Sequence, residues 1–185
     1  LRVRKNKRGQ KTKKGRSRYH TDWREPKLLV IYVVDEKGRI AREFAPVLDG
    51  TLQGPDEVFR LIEFYLRELG IDQAREVLFI ADGATWIWQR VTKLWQRLGL
   101  EGVRCRELVD FYHVVEHVYA LAALNKSWSA SYRKHWATRQ RRRLWRGELK
   151  AFIDDVERLC RGRRGKGWAR ERDYLLRNAR AGRLE

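Results

Sequence analysis

Methionine is absent from this chain of 185 residues, and cysteine occurs only twice, at Cys105 and Cys160. Two cysteines exclude a disulfide framework and every cysteine-based zinc spacing. Cys105 falls in a strand-like run and reads as a buried thiol. No apolar run approaches the roughly 20 residues that a membrane-spanning helix needs. The basic N-terminus has no hydrophobic region behind it, which excludes a secretory signal. A soluble, intracellular protein without a membrane partner is expected. A P-loop and a dinucleotide glycine fingerprint are both missing. So are the aromatic-basic motifs of the common single-strand-binding sheet modules. No periodic internal repeat occurs.

Acid is scarce as well: 24 Asp and Glu face 42 Lys and Arg. The net charge of +18 favours a polyanionic partner, nucleic acid first and an anionic membrane surface second. Hydrophobic residues make up 43%, enough for a packed core, and eight tryptophans supply large apolar area. Residues 1–18 hold ten basic side chains and no acid. They are either a solvated tail or a phosphate-contacting arm, with a turn or loop at 10–17.

The order of elements is legible from periodicity and punctuation. The branched run at 28–34 predicts a central strand, with Pro26 at its approach. Glu36-Lys37-Gly38 predicts a tight turn, and 39–47 a second strand antiparallel to the first. A loop is expected at 48–54. Pro55 then opens an amphipathic helix over 56–69, with Asp56 and Glu57 in its first turn and Gly70 as its stop. A short apolar strand at 77–81 ends in Asp82-Gly83. A helix over 84–98 carries Trp88, Val91, Trp95 and Leu98 as a buried stripe. Another strand at 103–109 ends in Asp110. This alternation predicts an α/β fold, a mixed sheet with helices packed against it. Helices follow at about 111–124, 130–145, 149–160 and 168–181. Residues 133–172 hold fifteen Lys or Arg against five acids.

Two carboxylates, each at the carboxyl end of a core strand, are the chemically informative pair. Such residues are held rigidly at a crevice, and on neighbouring strands they could share a hard cation such as Mg²⁺ or Mn²⁺. Asp82 reads as a metal ligand or as a cap for the helix after Gly83. Asp110 reads as a cap for the next helix, or as part of a cluster with His113, Glu116 and His117 on one helix face. The run from His113 to His117 also matches the HxxEH pattern of zinc proteases. That site needs a further acidic ligand, for which Glu171 or Glu185 could be proposed, and the basic charge gives no reason for proteolysis. Trp88 fits the core stripe, whereas Trp86 is a core residue or a wall of the site. Arg139, Arg141, Arg142, Arg143 and Arg146 predict phosphate contact.

ADGATWIW at 81–88 followed by DFYHVVEH at 110–117, with WREPK at 23–27, resembles the bacterial transposases of the ISKra4 group, relatives of the mutator-like transposases. The resemblance implies a ribonuclease H-like core with an Asp-Asp-Glu triad and two divalent cations. It makes Asp82 the second aspartate of that triad, and Asp110 with His113 the DxxH pair that supports the metal site or binds the DNA end. The first aspartate would precede Leu1 and the closing glutamate would follow Glu185; Asp35, Asp49 and Glu185 do not match those contexts. It implies a partial core over 1–110 and a basic helical insertion over 111–182 that clamps double-stranded DNA. The expected activity of an intact relative is metal-dependent DNA cleavage and strand transfer, as a homo-oligomer, in the bacterial cytoplasm at the nucleoid. The present chain alone is expected to lack it. Two other classes compete: a non-enzymatic DNA-binding remnant, and a ribonuclease H-like nuclease that hydrolyses without joining.

Overall fold

A computed structural model describes residues 2–100 and 103–184, and for strand residues 2–9 and 17–23 the backbone alone. The fold is mixed α/β and divides into two compact units, residues 1–71 and 72–185. This division follows compactness and is distinct from the functional division at Asp110 that the resemblance implies.

The first unit opens with β1 (Arg2–Lys11) paired antiparallel to β2 (Ser17–Trp23). β2 carries no strand assignment in the sequence reading. The turn between them is pinned by Thr12, whose carbonyl accepts from Gly15 and whose hydroxyl accepts from the Arg16 N–H. Phosphate contact by the basic side chains of 1–9 and 17–18 lies outside the described residues.

β3 (Lys27–Ile31) pairs antiparallel with β4 (Val47–Thr51). The second strand therefore starts where the sequence pattern predicts its end. Among the described residues, 39–46 contribute one isolated antiparallel bridge, Ile40 with Val34. The reason is local: the Asp35 carboxylate accepts from the Lys37 and Arg39 N–H groups and tightens the expected turn at Gly38 (φ 74°). The chain then turns again as the Phe44 N–H donates to Ala41. Gly50 explains why 48–51 can pair at all, since a Cβ there would lie 2.6 Å from the Lys27 carbonyl oxygen. β3 is also not covered on both faces as expected: Leu29 is buried, but Leu28 and Val30 are exposed. Helix α1 (Pro55–Glu68) buries Val58, Phe59 and Leu66 and ends before Gly70, as its pattern predicts.

The second unit begins with β5 (Glu76–Ala81), α2 (Thr85–Leu98) and β6 (Arg104–Val109). β5 and β6 are parallel and in register from Glu76–Arg104 to Ala81–Val109. Among the described residues the strands thus form three two-stranded sheets in place of one mixed sheet. α2 lays Ile87, Trp88, Val91, Leu94 and Leu98 into the core, and the Phe79 ring meets Trp88 and Trp95 edge-on. Gly99, at φ 61°, ends the helix in the left-handed conformation.

Four helices complete the unit: α3 (Phe111–Leu124), α4 (Ala130–Trp145), α5 (Leu149–Cys160) and α6 (Lys166–Arg180). Val118, Leu121, Ala137, Phe152, Val156 and Leu175 form their common core. No helix among the described residues is long and apolar enough to cross a membrane.

Candidate functional site

The parallel register of β5 and β6 brings their carboxyl ends level, so Asp82 and Asp110 follow paired residues. The Asp110 N–H donates to the Ala81 carbonyl at 2.8 Å, which ties the two strand ends together. Both aspartates are exposed and line one open hollow of about 340 Å³ with Ile80, Ala81, Tyr112, His113 and Glu116.

Each carboxylate uses one oxygen locally. Asp82 Oδ1 accepts from the Ala84 N–H at 2.8 Å, shaping the turn; Ala84, not Asp82, occupies the cap position of α2. Asp110 is the cap of α3, and its Oδ1 accepts from the His113 N–H at 3.0 Å. The second oxygen of each has no protein partner among the described residues.

Helix α6 packs against the turn after Asp82, a contact to which the sequence pattern did not point. Gly83 lies so close to α6 that a Cβ would stand 2.5 Å from Tyr174 and from Asn178 Nδ2. The Gly83 N–H donates to the Tyr174 hydroxyl at 3.1 Å, and Arg177 Nη2 donates to the Gly83 carbonyl at 3.4 Å. The glycine after Asp82 is therefore a packing requirement, because helix and turn meet backbone to ring. Tyr174 in turn stacks on His117, with centroids 3.6 Å apart. His117 Nδ1 pairs with Glu171 Oε2 at 2.5 Å, and Arg170 donates to the other oxygen of Glu171 at 2.7 Å. Glu171, Tyr174 and Asn178 recur at helical spacing on one face of α6; that spacing was the available signal.

Burial first, and the Asp82 and Asp110 carboxylates after it, raise the Tyr174 hydroxyl against the opposing pull of the Gly83 N–H and Arg177, to about 12 in all. Tyr174 is thus a fixed, protonated hydroxyl at neutral pH, suited to holding the turn.

The HxxEH residues do not assemble a zinc site. The rings of His113 and His117 stand nearly perpendicular, 5.0 Å apart, and His117 is committed to Glu171. His113 Nδ1 lies 3.4 Å from Glu116. Among the described residues no group of three or more His, Cys, Asp and Glu is placed to hold one metal ion. Glu185 lies outside the described residues. The other candidate carboxylates are engaged elsewhere: Asp35 with Arg39, and Asp49 with the Tyr65 hydroxyl at 2.6 Å, which holds the Asp49 carboxyl below its ordinary range.

Trp88 is buried as expected, and Trp86 is half-buried beneath Arg90 instead of lining the hollow. The arginine run is split by function. Arg139 and Arg143 bind Asp155 together with Arg158 and Gln140. Arg141, Arg142 and Arg146 remain exposed. Cys105 is half-buried and Cys160 buried; burial raises both thiols, which suits unreactive packing.

No family model matches this chain, and neither the curated proteins nor the solved structures contain a match to it.

Proposed function

We propose that the second unit is part of a ribonuclease H-like DNA transposase core, with Asp82 and Asp110 as its cation-binding carboxylates. The observation that carries this reading is the placement of two exposed aspartates at level ends of adjacent parallel strands, in one hollow with His113. Mg²⁺ or Mn²⁺ fits the donor set. Hard cations take carboxylate oxygens, and Mg²⁺ is commonly held by one or two carboxylates with waters and phosphate oxygens completing the shell. Asp82 and Asp110 each have an oxygen without a protein partner among the described residues. A bound ion would orient a DNA phosphodiester and offset charge developing on it.

The protein's own residues supply the rest. Tyr174 and Arg177 fix the Gly83 peptide, so that Asp82 meets its ligand without reorganising. His113, on the first turn of α3, offers a ring nitrogen at the rim to a phosphate oxygen. The exposed arginines of α4 and the charge of +18 hold double-stranded DNA through its backbone. In the intact protein this machinery cleaves and transfers DNA strands, as a homo-oligomer that joins two element ends. Two carboxylates do not assemble the two-metal site, with ions about 4 Å apart, that such chemistry uses. The chain alone therefore binds DNA without cutting it.

A second reading, a DNA-binding remnant without catalysis, is favoured by one observation: each aspartate already has a backbone donor and a structural role. The test is Mg²⁺- or Mn²⁺-dependent cleavage of duplex DNA by the chain and by Asp82→Asn, with binding measured across salt. Binding that weakens steeply with salt, without cleavage, is the expected result. Cleavage abolished by Asp82→Asn would overturn the inactivity of the chain. Binding indifferent to salt would overturn the basic surface as a phosphate contact.

A further inference from the structure

Tryptophan gains more than other side chains from burial. Trp88 and Trp136 are buried, yet Trp145 at the end of α4 is 77% exposed. Its ring meets Phe111 edge-on, with centroids 5.5 Å apart. Phe111 meets Tyr112 in the same way at 5.7 Å. Tyr112 is 72% exposed and lines the hollow with Asp82 and Asp110. A row of three rings therefore leads from the carboxylates to the end of α4.

The Trp145 end of this row carries two cations on the same side of its helix. Arg141 and Arg142 precede Trp145 by four and three residues, which places them on its side of the helix. Both are exposed and lack a carboxylate partner among the described residues. Their neighbours Arg139 and Arg143 are instead tied to the buried Asp155.

Exposed rings recognise a base whose face is free, and guanidinium groups recognise the phosphates attached to it. A paired base inside a duplex presents its edge and not its face. An apolar protein surface would match the rings and leave the arginines without counter-charge. The ligand that answers both features is an unpaired nucleotide.

We propose that Tyr112, Phe111 and Trp145, with Arg141 and Arg142, form a subsite for an unpaired nucleotide of the DNA strand entering the carboxylate hollow. The proposal rests on the reading of that hollow as a phosphodiester site and extends it to the adjoining nucleotide.

The experiment compares binding of a blunt DNA duplex with binding of the same duplex bearing a single-stranded overhang. It uses the full chain, Trp145→Ala, and the double variant Arg141→Ala/Arg142→Ala. The wild type should prefer the overhang. Trp145→Ala should weaken overhang binding roughly tenfold, the loss of one stacked base, and leave the blunt duplex within about twofold. The arginine variant should flatten the salt dependence by about two phosphate contacts. Trp145 is exposed, so the variant folds, which circular dichroism checks. An overhang preference unchanged by Trp145→Ala, or an equal loss on both DNAs, would overturn the subsite while leaving salt-sensitive duplex binding intact. Absence of binding to either DNA would overturn both the subsite and the transposase reading.

Discussion

Asp155 and Asp82 are both aspartates in the second unit, and they are held in opposite ways. Asp155 is 7% exposed, and its carboxylate receives Gln140, Arg139, Arg143 and Arg158. Asp82 is exposed and receives one backbone N–H. The first carboxylate organises α4 and α5 and has no capacity left for a ligand. The second is positioned by its surroundings but not neutralised by them. Rigid placement without charge compensation is what a cation site requires, and the difference shows why a carboxylate's surroundings say more than its position in a motif.

Substitution tests that contrast directly. Asp155→Ala leaves guanidinium groups without their buried counter-charge and should cost about 3 kcal/mol or more in urea unfolding. Asp82→Ala removes one exposed hydrogen bond and should cost about 1 kcal/mol at most. Equal costs at the two positions would erase the distinction.

Gly83 probes the frame beneath Asp82. The Cβ of Gly83→Ala would meet Tyr174 and Asn178 at 2.5 Å, so α6 or the turn must shift. A loss of about 1–3 kcal/mol is expected from such overpacking, read from the thermal midpoint. An unchanged midpoint would show that the turn does not pack on α6 as described.

Tyr174 gives a smaller, pH-dependent effect. Its hydroxyl is raised from 10.0 to about 12 in the folded chain. The folded state therefore holds this proton more tightly than the unfolded state. The associated stability is complete below pH 10 and is lost as pH rises toward 12. Tyr174→Phe should remove that component of the alkaline decline. An identical decline in the variant would place its origin elsewhere.

How far the sequence could have led differs along the chain. Helices α3, α4 and α5 were legible to the residue, because Asp110 and Ser129 cap two of them and Gly147 separates the last pair. The neighbouring of Asp82 and Asp110 was legible too, since both follow apolar strand runs flanking one helix. The second strand of the first unit was misplaced, because the loose alternation at 39–47 lies in turns that Asp35 and Ala41 hold. The role of α6 was hidden for a different reason. Tyr174 reaches Gly83 across 91 positions of sequence, and nothing local to either residue names the other. Asp155 shows the same limit: its arginines read as a phosphate-binding run until the helix pairing ties two of them to a buried carboxylate.

The most direct measurement is Mn²⁺ binding to the full chain by electron paramagnetic resonance, for wild type, Asp82→Asn and Asp110→Asn. The two carboxylates should act together, so the wild type binds Mn²⁺ and each variant loses that binding while keeping its thermal midpoint. Mn²⁺ binding of equal strength in all three proteins would contradict a cation site at Asp82 and Asp110.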